Sequence, residues 1–337
     1  MKKKVILPFE EHPYSLMYQG GAFPAGIIQA NAKEDITPWL SSRYINCWFD
    51  PKVANKFSYY LSENWPAAEG ILLQQRINLF PGMLEKLFCE DFFDLCKRMM
   101  DEGWYPHGAF NEEHIPGKAA YQKRRYGHDF MLIGYDDFEE VYFSVGYLGD
   151  GHFQKFPIPY ENMKQSIQTL KHAKPVFNFW KLNPNAQFSF NLDKIILELS
   201  EYLDSTTSNE MYKYDRTWGI ESLRALGNHM LPLCKNQERI DLRYPRGLME
   251  YKEYMKIRIE YLLQRGYLSK QNYLKNAEQV FQLAKNIHML SIKYMLTGNV
   301  ALGDRIYALI EQIIAKELEY LPNVLAELKS KQGEITV

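Results

Sequence analysis

Cysteine is scarce in this chain: its 337 residues include four, Cys47, Cys89, Cys96 and Cys234. They are too scattered for a disulfide framework, and no pair has the CxxC spacing that is typical of zinc or redox sites. Walker-type and dinucleotide-type glycine motifs are missing, as is the HExxH motif of helical zinc sites. The sequence therefore predicts no metal and no cofactor.

No charge of either sign is in excess, since 40 Lys and Arg oppose 41 Asp and Glu. Overall charge thus does not favour a nucleic acid or an anionic membrane as partner. Long hydrophobic runs are also missing, and the longest falls far short of the ~20 residues that span a membrane. The basic start of the chain is followed by Pro8, Glu10 and Glu11, which interrupt the apolar region of a secretion signal. We expect a soluble, cytoplasmic protein.

Aromatic residues, in contrast, make up 15% of the chain, with 24 Tyr, 19 Phe and 6 Trp. Such side chains supply orientable apolar area to cores and to ligand pockets alike. Hydrophobic residues at 46% and charged residues at 24% are ordinary globular values, which excludes a disordered or fibrous chain. The length suggests two domains, at roughly 100–200 residues per domain.

The composition and the apolar pattern of the sequence change near residue 180. The first part mixes glycine and proline with short β-rich runs, whereas the part after residue 190 carries apolar stripes at helical spacing. This pattern predicts an α+β fold: a domain over residues 1–178 with an antiparallel sheet, then an all-α domain over residues 185–330. The linker is predicted at Pro175–Pro184.

Turn residues such as Asp136-Asp137 and Gly149-Asp150-Gly151 bound the predicted strands. The strands are predicted over residues 56–61, 70–79, 104–110, 129–135, 141–147 and 153–158. Helices are predicted over residues 24–32, 37–45, 83–101 and 160–171, and in the second domain over residues 192–203, 217–231, 247–265, 270–296 and 301–328. Gly266 and Gly298 are placed where helices end.

The most informative stretch is residues 126–137, YGHDFMLIGYDD. His128 opens an apolar strand, a Gly-Tyr-Asp-Asp turn closes it, and a second strand returns over residues 141–145. This pattern resembles papain-like cysteine enzymes, especially the bacteriocin-processing double-glycine peptidases and the butirosin biosynthesis protein H family. Residues 157–163 are similar to the strand-then-helix step that follows in the butirosin family. The resemblance covers roughly residues 100–170 well.

The resemblance implies a papain-like fold for the N-terminal domain, followed by the helical extension that many butirosin-type proteins carry. The implied activity is acyl transfer from a carrier-protein thioester to an amine, in secondary-metabolite biosynthesis of the peptide-synthetase type. The implied partners are an acyl or peptidyl carrier protein and a small-molecule amine. In this family the first residue of the strand is the catalytic histidine, so His128 would be the general base that activates a nucleophile.

The segment that is expected to carry the nucleophile departs from the family pattern. Papain-like enzymes place a cysteine at the start of the first core helix, with a glutamine a few residues before it. Here residues 19–25 precede the helix and contain Gln19 but no cysteine. Cys47 is the candidate thiol of the N-terminal segment, with burial as the alternative reading, and Ser15 and Ser42 are hydroxyl candidates.

The orienting residue of a triad would fall near Ser144 or Val145, and neither is a carboxylate. A degenerate triad is therefore a further possibility, because a fold can be kept after its chemistry is lost. Three functions stay open: the acyltransferase, a cysteine peptidase or amidase with water as acceptor, and a non-catalytic binding protein on a degenerate papain-like scaffold.

An aromatic cleft at the junction of the two domains is expected to bind the substrate. Its predicted lining residues are Trp48, Trp65, Trp104 and Tyr105, and Gln19 is a further candidate for substrate binding.

The sequence contains two weaker clusters of candidate functional residues. His107, His114, Glu112 and Glu113 suggest a metal site, but they lack the spacing of a helical metal motif. The basic run Lys123–Arg125 is either a solvated edge or the rim that receives a phosphate or an acidic carrier domain.

Overall fold

A computed structural model describes residues 2–59, 66, 69–78, 89–170, 176–208 and 216–335. The chain forms two units, of which the first comprises residues 1–33 and 66–187 and the second residues 34–65 and 188–337. An antiparallel sheet region precedes a helical region along the chain, which confirms the α+β prediction.

The secondary structure has the following bounds. The strands are β1 (Lys4–Ile6), β2 (Trp48–Phe49), β3 (Phe57–Ser58), β4 (Leu72–Asn78), β5 (Tyr105–Asn111), β6 (Gly127–Asp136), β7 (Val141–Tyr147), β8 (Phe153–Pro159), β9 (Val176–Leu182) and β10 (Thr217–Trp218). The helices are α1 (Gln19–Asn31), α2 (Thr37–Ser41), α3 (Cys89–Asp101), α4 (Tyr160–Gln168), α5 (Leu192–Leu203), α6 (Gly219–Lys235), α7 (Arg243–Gln264), α8 (Asn272–Thr297) and α9 (Ala301–Ile335). A short 3₁₀ turn covers Glu112–His114.

The sheet of the first unit has, among the described residues, the strand order β4-β9-β5-β6-β7-β8, with β1 paired to β6. All of these pairs are antiparallel. β6 contains a continuous apolar run from Phe130 to Ile133. These residues are buried because neighbours cover both faces of the strand. A bulge between Leu132 and Gly134 interrupts its pairing with β7. Gly134 faces β1 so closely that a Cβ there would lie 2.3 Å from Val5 O.

The linker predicted at residues 175–184 is wrong, because residues 176–182 form β9 between β4 and β5. Phe177 and Phe179 are buried and alternate with the partly exposed Asn178, as in a sheet strand. Pro175 lies outside the described residues, and Pro184 follows the strand. Prolines at the two ends of a strand resemble a linker in the sequence, and this explains the error.

The second unit consists mainly of α5–α9, with α8 packed against α7 and α9. It also takes in residues 34–65, which the sequence analysis had grouped with the N-terminal domain. Every residue from Trp39 to Asp50 is buried. This buried stretch lies against α7, where Tyr251 donates a hydrogen bond to Ile45 O at 2.6 Å and Arg258 donates one to Ser41 O at 2.8 Å.

These contacts explain why the helix predicted over residues 37–45 ends at Ser41. The carbonyl oxygens of Ser41, Arg43 and Ile45 accept hydrogen bonds from side chains of α7, so they do not continue a helical ladder. The predicted helix ends at Gly266 and Gly298 are confirmed, since both glycines have positive φ, of 74° and 64°.

Some predicted elements fall in part outside the described residues. The helix predicted over residues 83–101 is described from Cys89, and the strands predicted over residues 56–61 and 70–79 are described as β3 and β4. Within the described part of the chain, no helix is both long and apolar enough to cross a membrane.

Candidate functional site

His128 is the second residue of β6, and β6 pairs antiparallel with β7, as the sequence predicted. In the register of the sheet it lies opposite Phe110 of β5. Its side chain is 34% exposed, and its Nδ1 lies 3.1 Å from Oε1 of Glu112. Glu112 follows β5 directly and is buried, so a carboxylate with little solvent around it orients the imidazole.

Lys118 completes a charged cluster with Glu112. Its Nζ lies 3.5 Å from the same Oε1 and donates a hydrogen bond to Tyr147 O at 2.8 Å. Burial raises the pKa of Glu112, but the hydrogen bond from His128 and the charge of Lys118 outweigh burial, and the net pKa is lowered. Burial lowers the pKa of Lys118, and the Glu112 carboxylate opposes that shift. Glu112 is therefore ionised at neutral pH.

Asp129 contacts the other side of the imidazole. Its Oδ1 lies 3.3 Å from His128 Nε2, so both ring nitrogens of His128 face a carboxylate oxygen. Glu112, His128 and Asp129 form a continuous array of acid and base groups.

The start of α1 lies beside this array. Gln19 donates from Nε2 to Asp129 O at 2.6 Å and to Asp129 Oδ1 at 3.3 Å, and its Oε1 accepts from Tyr147 N at 3.0 Å. A Cβ at Gly20 would lie 3.9 Å from Asp129 Oδ2. Among the described residues, Oδ2 accepts no hydrogen bond. The site therefore has one carboxylate oxygen directed at the first turn of α1 and available to a ligand.

Cys47 lies in the second unit and is fully buried. Its Sγ is 3.1 Å from Ser222 Oγ and 3.6 Å from Gly219 O. Burial raises the pKa of the thiol to about 11, although Lys252 and the hydrogen bond with Ser222 act in the opposite direction. A reactive cysteine is partly exposed and has a lowered pKa. The catalytic role of Cys47 stays a prediction, and these surroundings do not support it.

The serine candidates are buried as well. Ser15 belongs to the first unit and Ser42 to the second, where Ser42 Oγ accepts a hydrogen bond from Asn191 N at 2.8 Å. Ser144, at the position expected for an orienting residue, donates to Met131 O across the sheet at 2.9 Å. This bond joins β6 to β7 and does not reach His128.

The aromatic residues predicted to line a cleft have partners of their own. Trp48 is buried in the second unit beneath the guanidinium of Arg216, 3.8 Å from the ring centre. Tyr105 is buried in the first unit, where its hydroxyl donates to Pro8 O and accepts from Asn31 Nδ2.

Trp104 also belongs to the first unit and is half-buried, with Lys181 Nζ 5.9 Å from its ring. Trp65 lies outside the described residues. The cleft role of Trp48, Trp104 and Tyr105 stays a prediction.

Grooves also occur elsewhere on the described surface, and two of them are considered as alternative sites. One of about 400 Å³ lies in the first unit, and one of about 600 Å³ lies in the second. None of the sequence-predicted site residues lines either groove. The first is lined by Phe93, Asp94, Lys97, Tyr142, Tyr160, Glu161 and Lys164. Both are shallow, and we regard the array at His128 as the better candidate site because its groups are chemically matched.

The two weaker clusters from the sequence, the His/Glu cluster and the basic run, have other surroundings in the structure. The described residues contain no group of three or more His, Cys, Asp or Glu with the geometry to hold a metal ion. In the basic run, Arg125 Nε lies 3.7 Å from Glu113 Oε2 and the Arg124 guanidinium lies 5.3 Å from the Tyr126 ring. The exposed basic run thus contacts residues close to it in the sequence, Glu113 and Tyr126.

Sequence reasoning missed Asp129 and Lys118 and gave Glu112 only a metal-binding reading. Asp129 carried a signal, since it follows His128 directly. The role of Glu112 could have been predicted from the strand register. Because β5 lies beside β6, a residue just past the end of β5 lies near the start of β6. Lys118 carried no such signal because a loop brings it to Glu112.

The chain matches no protein-family model, and no curated protein matches it at a significant level.

Proposed function

We propose that the first unit is a papain-like scaffold of the butirosin biosynthesis protein H type, and that the protein transfers an acyl group from a carrier-protein thioester to an amine. The observation that carries this proposal is the Glu112–His128–Asp129 array beside the start of α1. The resemblance predicts a histidine at a strand start near the first core helix, and the contact of Gln19 with Asp129 supports that arrangement.

Direct transfer, without an acyl-enzyme, is the version that these residues support, because Cys47 is buried with a raised pKa. The amine nitrogen bonds to the thioester carbonyl carbon, and its proton passes to Asp129 Oδ2. The C–S bond then breaks, and the departing thiolate takes up that proton. His128 holds Asp129 in position through Nε2, while Glu112 holds the imidazole through Nδ1.

Amide formation from a panel of acyl-carrier thioesters and amines, followed by mass spectrometry, tests this proposal. Asp129→Asn keeps the shape of the side chain but removes the proton acceptor, and His128→Ala removes its partner. Each change is expected to lower turnover roughly 10²–10⁴-fold, the usual contribution of a positioned acid or base. Asp150→Asn, an exposed loop carboxylate of the same unit, is the matched control and should leave turnover unchanged.

The same assay separates the alternatives. Release of the free acid without amide would identify water as the acceptor and favour the peptidase or amidase. Turnover that survives Asp129→Asn and His128→Ala would contradict the proposed role of the array.

A binding protein on a degenerate scaffold is the second candidate. The observation that favours it is the composition of α1, Gln19–Asn31, which contains no cysteine and no serine, whereas the resembled enzymes carry a cysteine at the start of this helix. Calorimetry with the same acyl-carrier proteins tests this candidate. Saturable binding with no amide or free acid from any pair would place it ahead of the acyltransferase.

A further inference from the structure

A second histidine shares the sheet face of Asp129. In the register of β5 and β6, Ala109 pairs with Asp129, and His107 pairs with Met131. Side chains two residues apart on a strand point to the same face, and diagonal neighbours across a pair lie about 7–8 Å apart. His107 and Asp129 are therefore diagonal neighbours on one face, and Ala109, whose side chain is a single methyl group, lies on the same face between them in the register.

The ring of His107 is held in place by two aromatic side chains. It stacks on Trp180, with centroids 4.3 Å apart and an interplanar angle of 18°. The ring of Phe23 meets it edge-on at 5.6 Å. Phe23 lies about one turn along α1 from Gln19, so one helix borders both His107 and Asp129.

A hydrogen-bond chain sets which ring nitrogen carries the hydrogen. Gln74 Nε2 donates to Asn178 Oδ1 at 2.7 Å, and Asn178 Nδ2 lies 3.4 Å from His107 Nδ1. Burial lowers the pKa of His107 to about 4, although Asp129 acts in the opposite direction, so the ring is neutral at neutral pH. A neutral imidazole that accepts at Nδ1 carries its hydrogen on Nε2. Among the described residues, that N–H has no acceptor.

We propose that His107 donates a hydrogen bond from Nε2 to the carbonyl oxygen of the acyl thioester, and so is a second catalytic residue of the site. This inference rests on the proposed acyl transfer. As the amine attacks, negative charge develops on the carbonyl oxygen, and a fixed donor stabilises that charge. The carbonyl lies over Ala109, with the donor His107 on one side and the proton acceptor Asp129 on the other.

Three variants and a control test the role of His107 in turnover. His107→Phe keeps an aromatic ring against Trp180 but removes the N–H, and we expect amide formation to fall roughly 10²–10³-fold, as on loss of one oxyanion donor. His107→Gln keeps a neutral donor and should lose less. Ala109→Val fills the space for the carbonyl and should raise KM. His152→Phe, an exposed loop histidine, should change nothing.

Turnover of His107→Phe within about twofold of the unaltered protein, in an assay where Asp129→Asn is inactive, would overturn the role of His107 and leave the acyl transfer standing. Urea unfolding of each variant shows whether it is folded. If His107→Phe does not fold, the comparison of His107→Gln with the unaltered protein and the binding measurement decide.

Binding is measured without any need for turnover, by nitrogen NMR of the protein labelled at histidine. S-acetyl-N-acetylcysteamine, a small acyl thioester, should shift the Nε2 resonance of His107 in a saturable way. The matched thioether S-ethyl-N-acetylcysteamine, which lacks the thioester carbonyl, should not. A shift without amide formation would support the thioester site and contradict the transfer reaction. No shift, or an equal shift with the thioether, would overturn the proposed hydrogen bond.

Discussion

His128 and Cys47 were paired as catalytic partners from the sequence, and their surroundings in the structure differ sharply. The imidazole of His128 is 34% exposed and lies between two carboxylates. The thiol of Cys47 is fully buried against Ser222. Exposure and neighbouring charge decide whether a titratable side chain can exchange protons with a ligand, and neither is readable from residue type alone.

The thiol of Cys47 should resist alkylation in the folded protein. Cys47, Cys96 and Cys234 are all buried, and burial raises the pKa of each, so little thiolate forms near neutral pH. Iodoacetamide treatment followed by peptide mapping should find these three unmodified in the folded protein and modified in guanidinium chloride. Rapid labelling of Cys47 in the folded protein would restore it as a nucleophile.

The half-buried His107 should make folding stability depend on pH. Its pKa is lowered from 6.5 to about 4, so between these values the unfolded chain binds more protons than the folded one. Its contribution is present above pH 6.5 and is lost as pH falls towards 4. From about pH 7 to about pH 5 the free energy of unfolding should fall by up to about 2 kcal/mol on this account.

Urea unfolding of the unaltered protein and of His107→Phe at the two pH values measures this effect. The variant lacks the group and should lose less stability on acidification. Equal losses in the two proteins would show that His107 titrates normally in the folded state.

At the scale of the elements, a buried ion pair joins two helices of the second unit. Lys252 of α7 places Nζ 2.8 Å from both carboxylate oxygens of Glu317 on α9. Tyr202 of α5 donates to the same carboxylate at 2.6 Å, and all three side chains are fully buried. The carboxylate is thus fully hydrogen-bonded, which is the condition under which a buried charge is tolerated.

Breaking this pair from one side should be costly. Lys252→Met leaves Glu317 buried without its counter-charge, and a loss of about 3–5 kcal/mol is expected in the free energy of unfolding. The double variant Lys252→Met/Glu317→Gln removes both charges and should recover a large part of that loss. Urea unfolding of both proteins checks this. A single variant that costs less than about 1 kcal/mol would show that water or another cation compensates Glu317.

The helices of the second unit were predictable, because apolar side chains repeat along them at helical spacing and Gly266 and Gly298 end two of them. The last helix, α9, extends to Ile335, beyond its predicted end at residue 328. β5, β6, β7 and β8 were predictable because turn residues bound each of them. β9 was misread as a linker because its identity depends on β4 and β5 beside it, and these partners are distant in sequence.

At the scale of the whole molecule, the second unit depends on a segment from the N-terminal part of the chain. Residues Trp39–Asp50 are buried throughout, and two side chains of α7, Tyr251 and Arg258, bind backbone carbonyls of this stretch. A helical unit without this segment would expose the apolar surface that it covers and leave the buried Arg258 without its hydrogen bonds to backbone carbonyls.

Two fragments test this dependence. Residues 188–337 alone should show no cooperative urea transition, whereas residues 34–65 joined by a glycine–serine linker to residues 188–337 should unfold cooperatively. Circular dichroism follows both transitions. Cooperative unfolding of the shorter fragment would show that residues 34–65 are dispensable for the helical unit.

Features that are set by neighbours within a few positions along the chain were predictable from the sequence. These are the α+β order, the hairpin of β6 and β7 with His128 at its start, and the C-terminal helices, because turn chemistry and apolar periodicity act locally. Three further features became visible only in the folded chain: Glu112 and Asp129 flank His128, Cys47 is buried, and residues 34–65 belong with the helices. Contacts between residues far apart in sequence produce these features, since burial and charge environment are properties of the packed chain.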